Sequence, residues 1–253
     1  MAGHSKWANT KHRKARQDKK RSALFGKLSR AIFVAAKNGD PNPDNNAALA
    51  AAIEKAKGYS LPKDNIEAAI AKASGAANDG ASWNEVIYEG YGPAGIAVYV
   101  ECLTDNRNRT AADVRAAFTK FGGKLGTSGS VAFQFQRRGE IIVDLDQENF
   151  SEDDFILAVA EAGGDDYVLE DDEGSLIALV LSEASLLMAV KEALESASYR
   201  VRGAELSMTS ENPQTLSEAE AQQAINLVDR LEDLDDVQAV YHSMKLEADQ
   251  LED

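Results

Sequence analysis

Ile141-Ile-Val-Asp-Leu145, Ser151-Glu-Asp-Asp154, Gly163-Gly164, Asp166-Tyr-Val-Leu169, Glu173-Gly174, Leu176-Ile-Ala-Leu-Val-Leu181 and Ala204-Glu-Leu-Ser-Met208 follow one another between Gly139 and Met208, and their order decides the fold. The first is a short β-rich run, and Ser151 with Asp154 resembles a cap for a helix that reaches Ala162 and stops at Gly163-Gly164. Two further β-rich runs around Glu173-Gly174 read as a hairpin. A helical pattern over Ala184 to Ala197 and a last strand near Ala204 to Met208 complete the order βαββαβ, the ferredoxin-like split motif.

The flanks of this unit do not close on their own. Upstream, Val86 to Tyr91 and Ile96 to Leu103 are strands joined by the turn Gly92-Pro93-Ala94-Gly95. Val114, Ala117, Phe118 and Phe121 mark one face of a helix ending at Gly122-Gly123, and the alternation in Val131 to Phe135 predicts another strand. Downstream of Pro213, Ser217 and Glu220 form a capping box for a helix with Ala221, Ala224, Ile225, Val228 and Leu231 inward, and Val237 to Leu246 predicts a final strand. Joining this αβ to the earlier ββαβ gives a second six-element sandwich, interrupted by the first.

Before residue 77 the apolar period is helical. Phe25, Leu28, Ile32 and Ala35 define a helix beginning near Ser22 and stopped by Asn38-Gly39 and Pro41. Asn45 or Asn46 caps a second helix through Leu49, Ile53 and Ala56 to Gly58, and Pro62 opens a third through Ile66, Ala69, Ile70 and Ala73. Residues 1 to 20 have almost no apolar period and read as a mobile arm or a solvated helix. The predicted fold class is α+β with three domains. Residues 1–77 form a helical domain with a basic N-terminal arm, residues 83–137 plus 210–250 a discontinuous α/β sandwich, and residues 138–209 an inserted βαββαβ domain.

Charge is distributed unevenly along this plan. The chain has 27 basic and 42 acidic residues in 253, a net charge of −15. Eleven of the bases fall in the first 37 residues, against the single acid Asp18, so a head of about +10 precedes a body of about −25. Lys6, Lys11, Arg13, Lys14, Arg16, Lys19, Lys20 and Arg21 suit electrostatic capture of phosphates, with His4, Trp7 and His12 available for stacking or phosphate contact. The alternative, a solvated tail that only neutralises the body, is disfavoured by this density of bases in an acidic protein.

Asp105-Asn106-Arg107-Asn108-Arg109-Thr110 sits where a strand meets a helix start. Free backbone N–H groups there, with Arg107 and Arg109, would make a second phosphate contact. Equally, Asp105, Asn106 or Asn108 caps the helix and the arginines pair with acids of the body.

Gly90, Gly92 and Gly95 match G-x-G-x-x-G, but a strand rather than a helix follows, which argues against a dinucleotide site. His4, His12 and His242 are scattered, Cys102 falls within a predicted strand, and Ser128 and Ser130 lack a nearby histidine. No enzyme activity, cofactor or metal site is expected. A single cysteine excludes an intrachain disulfide, and no apolar run approaches the roughly 18 to 20 residues of a membrane helix, so a cytoplasmic protein is expected.

Met1-Ala-Gly-His-Ser-Lys-Trp-Ala-Asn9, Lys11-His-Arg-Lys14, Gln17-Asp18, Leu61-Pro-Lys-Asp-Asn-Ile66, Tyr88-Glu-Gly-Tyr-Gly-Pro93, Glu101-Cys-Leu-Thr-Asp-Asn-Arg-Asn-Arg-Thr110 and Gly129-Ser-Val131 together resemble the YebC/PmpR family along the whole chain. Departures are small: Arg16 adds a charge, Lys124 stands in the loop after Gly123, and the C-terminal half is unusually acidic. The resemblance implies a cytoplasmic protein with a helical domain and two α/β domains, and no established enzymatic activity. It also implies a nucleic-acid-binding regulator of gene expression, since members are described as transcriptional regulators that bind promoter DNA. Other members, including the mitochondrial translational activator of cytochrome oxidase, act on translation, which makes a ribosome- or ribosomal-RNA-binding factor the alternative. The expected partner is nucleic acid, DNA or ribosomal RNA, and not a membrane.

Overall fold

In the computed structural model, residues 17–75, 83–172 and 174–245 are described, with backbone only for 17–21. The fold is α+β. Three helices, α1 (Gln17–Asn38), α2 (Ala47–Gly58) and α3 (Lys63–Gly75), come first. Strands β1 (Asn84–Tyr91) and β2 (Ala97–Thr104), helix α4 (Arg107–Lys120) and strands β3 (Lys124–Leu125) and β4 (Phe135–Asp144) follow. Then come α5 (Glu152–Ala162), β5 (Asp166–Asp172), β6 (Ser175–Glu183), α6 (Leu187–Ser196) and β7 (Arg200–Ser210). The last elements are β8 (Gln214–Thr215), α7 (Glu218–Glu232), β9 (Val237–His242) and β10 (Met244–Lys245).

Two compact units result. One holds Leu28–Gly75 with Arg137–Ser207; the other holds described residues 17–27, 83–136 and 208–245. In the first, the sheet order β5-β6-β4-β7 is that of the split βαβ motif. Phe155 and Val159 of α5 and Val190 and Leu194 of α6 are buried with Ile141, Val143, Ala178 and Val180 of the sheet. The other sheet face, Ile142, Ile177 and Leu179, meets Tyr59 at the end of α2. Contact there is closest at two glycines: a methyl group at Gly203 would lie 2.5 Å from the Gly58 Cα. Ion pairs surround it, with Lys55 Nζ 2.7 Å from Glu205 and Lys191 Nζ 3.1 Å from Glu54. The Tyr59 hydroxyl also donates to Glu205 at 2.8 Å.

The first three helices owe their ends to local chemistry. Asn46 caps α2 by accepting from the Leu49 N–H at 3.0 Å and donates from Nδ2 to the Ala35 carbonyl at 2.9 Å, tying α2 to α1. Helix α1 is already helical at Gln17, the first described residue, five residues before the expected Ser22. Leu28, Ile32, Val34 and Ala36 are its buried positions, and Ala35 is half-buried.

In the second unit the order β3-β1-β2-β9 joins strands on either side of the intervening 135–210 stretch. Val98, Val100 and Cys102 of β2 point to α4 and α7, where Phe118, Leu227 and Leu231 are fully buried. Three expectations are corrected here. Of the strand expected over Val131 to Phe135, Val131 to Gln134 does not form one: the Val131 and Ala132 N–H groups donate to the Glu89 carboxylate at 2.8 and 2.7 Å and are unavailable to a ladder. A 3-10 turn (Ala132–Gln134) forms instead, and β4 begins at Phe135 and continues through the strand expected at Ile141. Lys124, expected in a loop, lies in β3 opposite Tyr91, and Gly90 makes that possible, because a Cβ there would stand 2.7 Å from both the Lys124 carbonyl and the Phe118 ring.

The final strand is broken at Ser243. Its hydroxyl accepts from the Ala97 N–H at 2.8 Å, after which Met244 and Lys245 pair in parallel with Gln214 and Thr215; Leu246 lies outside the described residues. The Gly90–Gly95 segment is a β-hairpin whose turn holds Ala94 at φ 54° and Gly95 at φ 78°. Among the described residues, no helix is long and apolar enough to cross a membrane.

Candidate nucleic-acid interface

Lys6, Trp7, Lys11, His12, Arg13, Lys14 and Arg16 lie outside the described residues, as does His4. Lys19, Lys20 and Arg21 fall in the first turns of α1, where only the backbone is described. The described part of the basic head is therefore α1 from Ser22 onward, with Lys27, Arg30 and Lys37.

In the first unit, packing of α3 on α1 brings Lys72 and Lys37 to the same ring: both ammonium groups are 5.8 Å from the Phe33 centroid. Two cations over one aromatic ring form a positive patch that the ring quadrupole makes tolerable. Sequence reading missed Lys72, because it stands 35 residues from Lys37 and only helix packing unites them. The lysines of α2 are engaged elsewhere. Lys55 holds Glu205, and Lys57 is 2.6 Å from Glu54. Burial pushes the Glu54 carboxyl upward, and hydrogen bonds from Lys57 and Lys191 outweigh it, so the group sits below its ordinary value of 4.5. Lys63, 3.5 Å from Glu67 on the same exposed helix face, makes a weak surface pair.

In the second unit the Arg107–Arg109 region is built around Asp236, which is 8% exposed. Asn106 caps α4 by accepting from the Arg109 N–H at 3.1 Å. Arg109 Nη2 donates to Asp236 at 2.8 Å and to Asp105 at 2.9 Å. The hydroxyls of Thr104 and Thr110 lie 3.1 and 2.8 Å from the same Asp236 oxygen. Desolvation pushes the Asp236 carboxyl up, and Arg109, Thr110 and Thr104 together pull it below its ordinary 3.8. Arg109 is raised in turn, first by its hydrogen bond to Asp236. The capping-and-pairing alternative thus describes Asn106 and Arg109. Arg109, although exposed, ties α4 to Asp236 just before β9, whereas the likewise exposed Arg107 has its carbonyl accepting from the Tyr88 hydroxyl at 3.1 Å.

The glycine-rich loop Gly126–Ser130 is also filled by the chain itself. Glu89, 5% exposed, accepts from Gly129 at 2.6 Å as well as from Val131 and Ala132. Backbone N–H groups converging this way make an anion nest, and the nest already holds a carboxylate. Burial works against the charged form of Glu89, yet the three N–H donors keep its pKa below 4.5. Cys102 is buried, and desolvation followed by the Asp236 charge pushes its thiol up to about 12, which leaves it protonated and unreactive at neutral pH. Lys27 Nζ donates to the Glu232 carbonyl at the C-terminal end of α7, where the helix dipole favours a cation.

A basic helical head joined to one contiguous and one split antiparallel sheet defines a modular α+β protein. Residues 5–76 match the TACO1/YebC protein N-terminal domain, and residues 83–244 match the TACO1/YebC second and third domain. The chain belongs to the TACO1/YebC family. It is 50% identical over 244 residues to the probable transcriptional regulatory protein YrbC of Bacillus subtilis, covering 95% of this chain and 98% of that one. It is 47% identical over 241 residues to the probable transcriptional regulatory protein LBA0733 of Lactobacillus acidophilus, covering 95% and 97%. The crystal structure of the conserved hypothetical protein Aq1575 from Aquifex aeolicus superposes with a TM-score of 0.79 at 40% identity, covering 95% of this chain and 97% of that one.

Proposed function

We propose that this protein is a non-catalytic, DNA-binding regulator of transcription, whose basic head holds the phosphate backbone. The observation that carries the reading is the concentration of eleven bases against one acid in residues 1–37, continuing into the 22-residue helix α1. Neutralising phosphates releases condensed counterions, so such a segment supplies affinity for any polynucleotide. Lys37 and Lys72 over Phe33 add a second phosphate contact in the helical region, and Arg107 adds a third. The naming of relatives as probable transcriptional regulatory proteins supports DNA as the polynucleotide.

The test is competition. Full-length protein bound to a labelled promoter-length duplex is challenged with unlabelled duplex and with intact ribosomes at matched phosphate concentration. The duplex is expected to displace the label at lower concentration than ribosomes. Displacement by ribosomes at a concentration tenfold below the duplex would overturn the DNA assignment and place the activity in translation.

A further inference from the structure

Residues 138–209 contain eighteen acidic side chains and four basic ones, a net charge of −14 within a protein of −15. All four bases are in ion pairs. Arg138 is 2.9 Å from Asp165, Lys191 is 3.1 Å from Glu54 and 3.4 Å from Glu195, Arg200 is 3.5 Å from Asp144, and Arg202 is 2.5 Å from both Asp144 and Asp172. The surplus is left to the acids. Helices α5 and α6 pack side by side on one face of the sheet, with Phe155, Val159, Val190 and Leu194 turned inward. Their outer positions are not all polar: Leu157 is 61% exposed, Met188 47%, Ile156 45% and, in the turn before α6, Leu186 41%. Exposed Glu152, Asp153, Asp154 and Glu161 on α5 and Glu192 and Glu195 on α6 flank these apolar positions.

From this pattern we infer that the outer face of α5 and α6 docks a basic, amphipathic segment of a partner protein. Exposed apolar side chains on neighbouring elements, rimmed by charge, mark an interaction surface, and the sign of the rim selects a cationic partner. A polynucleotide or an anionic membrane is repelled. A second copy placed symmetrically would set acids against acids. The chain's own head has the right charge, but Trp7 is its only large apolar residue before Leu24, so it has nothing to set against Leu157, Ile156 and Met188. An amphipathic helix with apolar residues three and four apart and lysines or arginines beside them fits both requirements. This inference does not depend on which polynucleotide the basic head binds.

The probe is a labelled Leu/Lys peptide of about eighteen residues written with helical apolar periodicity, titrated with the full chain at roughly 0.15 M salt. A scrambled peptide of the same composition and a peptide of residues 1–21 are compared with it. The periodic peptide is expected to bind at least tenfold more tightly than either. Leu157→Ser with Met188→Ser is expected to lose roughly tenfold of that binding, and Leu157→Met to retain it. Ile87→Ser, at an exposed apolar position in the other unit, is the control for a general surface effect and is expected to leave binding unchanged. All these side chains are exposed, so unchanged thermal unfolding establishes that the variants fold. Equal binding of the scrambled peptide, equal binding of residues 1–21, or wild-type binding by the double serine variant would each overturn the inference.

Discussion

The two four-stranded sheets are held by different chemistry. In the contiguous unit the charged groups answer one another: Arg202 of β7 with Asp144 and Asp172, Lys55 of α2 with Glu205 of β7, and Lys191 of α6 with Glu54 of α2. In the split unit the two buried carboxylates sit in networks of directional hydrogen bonds: Glu89 accepts from three backbone N–H groups, and Asp236 accepts from Arg109 and from two threonine hydroxyls. The contiguous unit has its elements fixed by neighbours in sequence and uses ion pairs to seat the helical region on its sheet. The split unit must hold loops and strands that the chain delivers from more than 100 residues apart, Thr104 and Asp236 among them. Directional hydrogen bonds to a buried carboxylate specify that geometry; ion pairs alone would not.

This difference can be broken most severely at Glu89. Glu89→Ala would leave three N–H donors without their acceptor and is expected to destabilise the split unit by about 3–5 kcal/mol. Hydrogen exchange should then rise in 126–134 and β1 while β4 to β6 stay protected. Gly203→Ala strikes the other unit, where the added methyl meets the Gly58 backbone. About 1–3 kcal/mol of destabilisation is expected by urea unfolding, and an unchanged midpoint would mean that α2 does not press on β7 as described.

Acid provides a milder probe of the same contrast. The folded state holds Glu89 and Asp236 below their ordinary 4.5 and 3.8, so the unfolded chain binds more protons on acidification. Their contribution is complete above the ordinary values and lost as pH falls through the depressed folded ones. The urea midpoint is expected to drop on going below about pH 4.5, and Glu89→Gln should flatten that drop. A midpoint that climbs on acidification would contradict the assignment of both carboxylates. The smallest effect belongs to salt: ion pairs that are partly exposed weaken by tenths of a kcal/mol in 1 M KCl, whereas Glu89 is shielded. Exchange in α2 should therefore respond to salt more than exchange in 126–134.

The same contrast explains what the sequence made legible. The βαββαβ order and the Ser151 cap could be read because local turn and cap chemistry carried them; the Ser151 hydroxyl does accept from the Asp154 N–H, at 3.3 Å. The capping box of Ser217 and Glu220 is present for the same reason. Val131 to Phe135 misled because its apolar alternation is real, while the competitor for its N–H groups, Glu89, stands more than 40 residues upstream. Lys124 was misplaced because a two-residue strand has no period. At the candidate interface, net charge was readable from composition, but the role of each arginine was not. Asp236, 127 residues from Arg109, turns that side chain into a tie, and Lys72 joins Lys37 only through helix packing.

Charge segregation is the central claim, and the dependence of duplex affinity on salt measures it directly. Full-length protein and a variant with Lys11, Arg13, Lys14, Lys19 and Lys20 changed to Glu are titrated against duplex DNA from 0.05 to 0.3 M salt. Each phosphate contact contributes a slope of about −0.9 in log K against log salt. The intact chain is expected to show a slope of about −4 or steeper and the variant to lose at least a hundredfold in affinity at the lowest salt. Equal affinities and equal slopes for the two proteins would contradict the account.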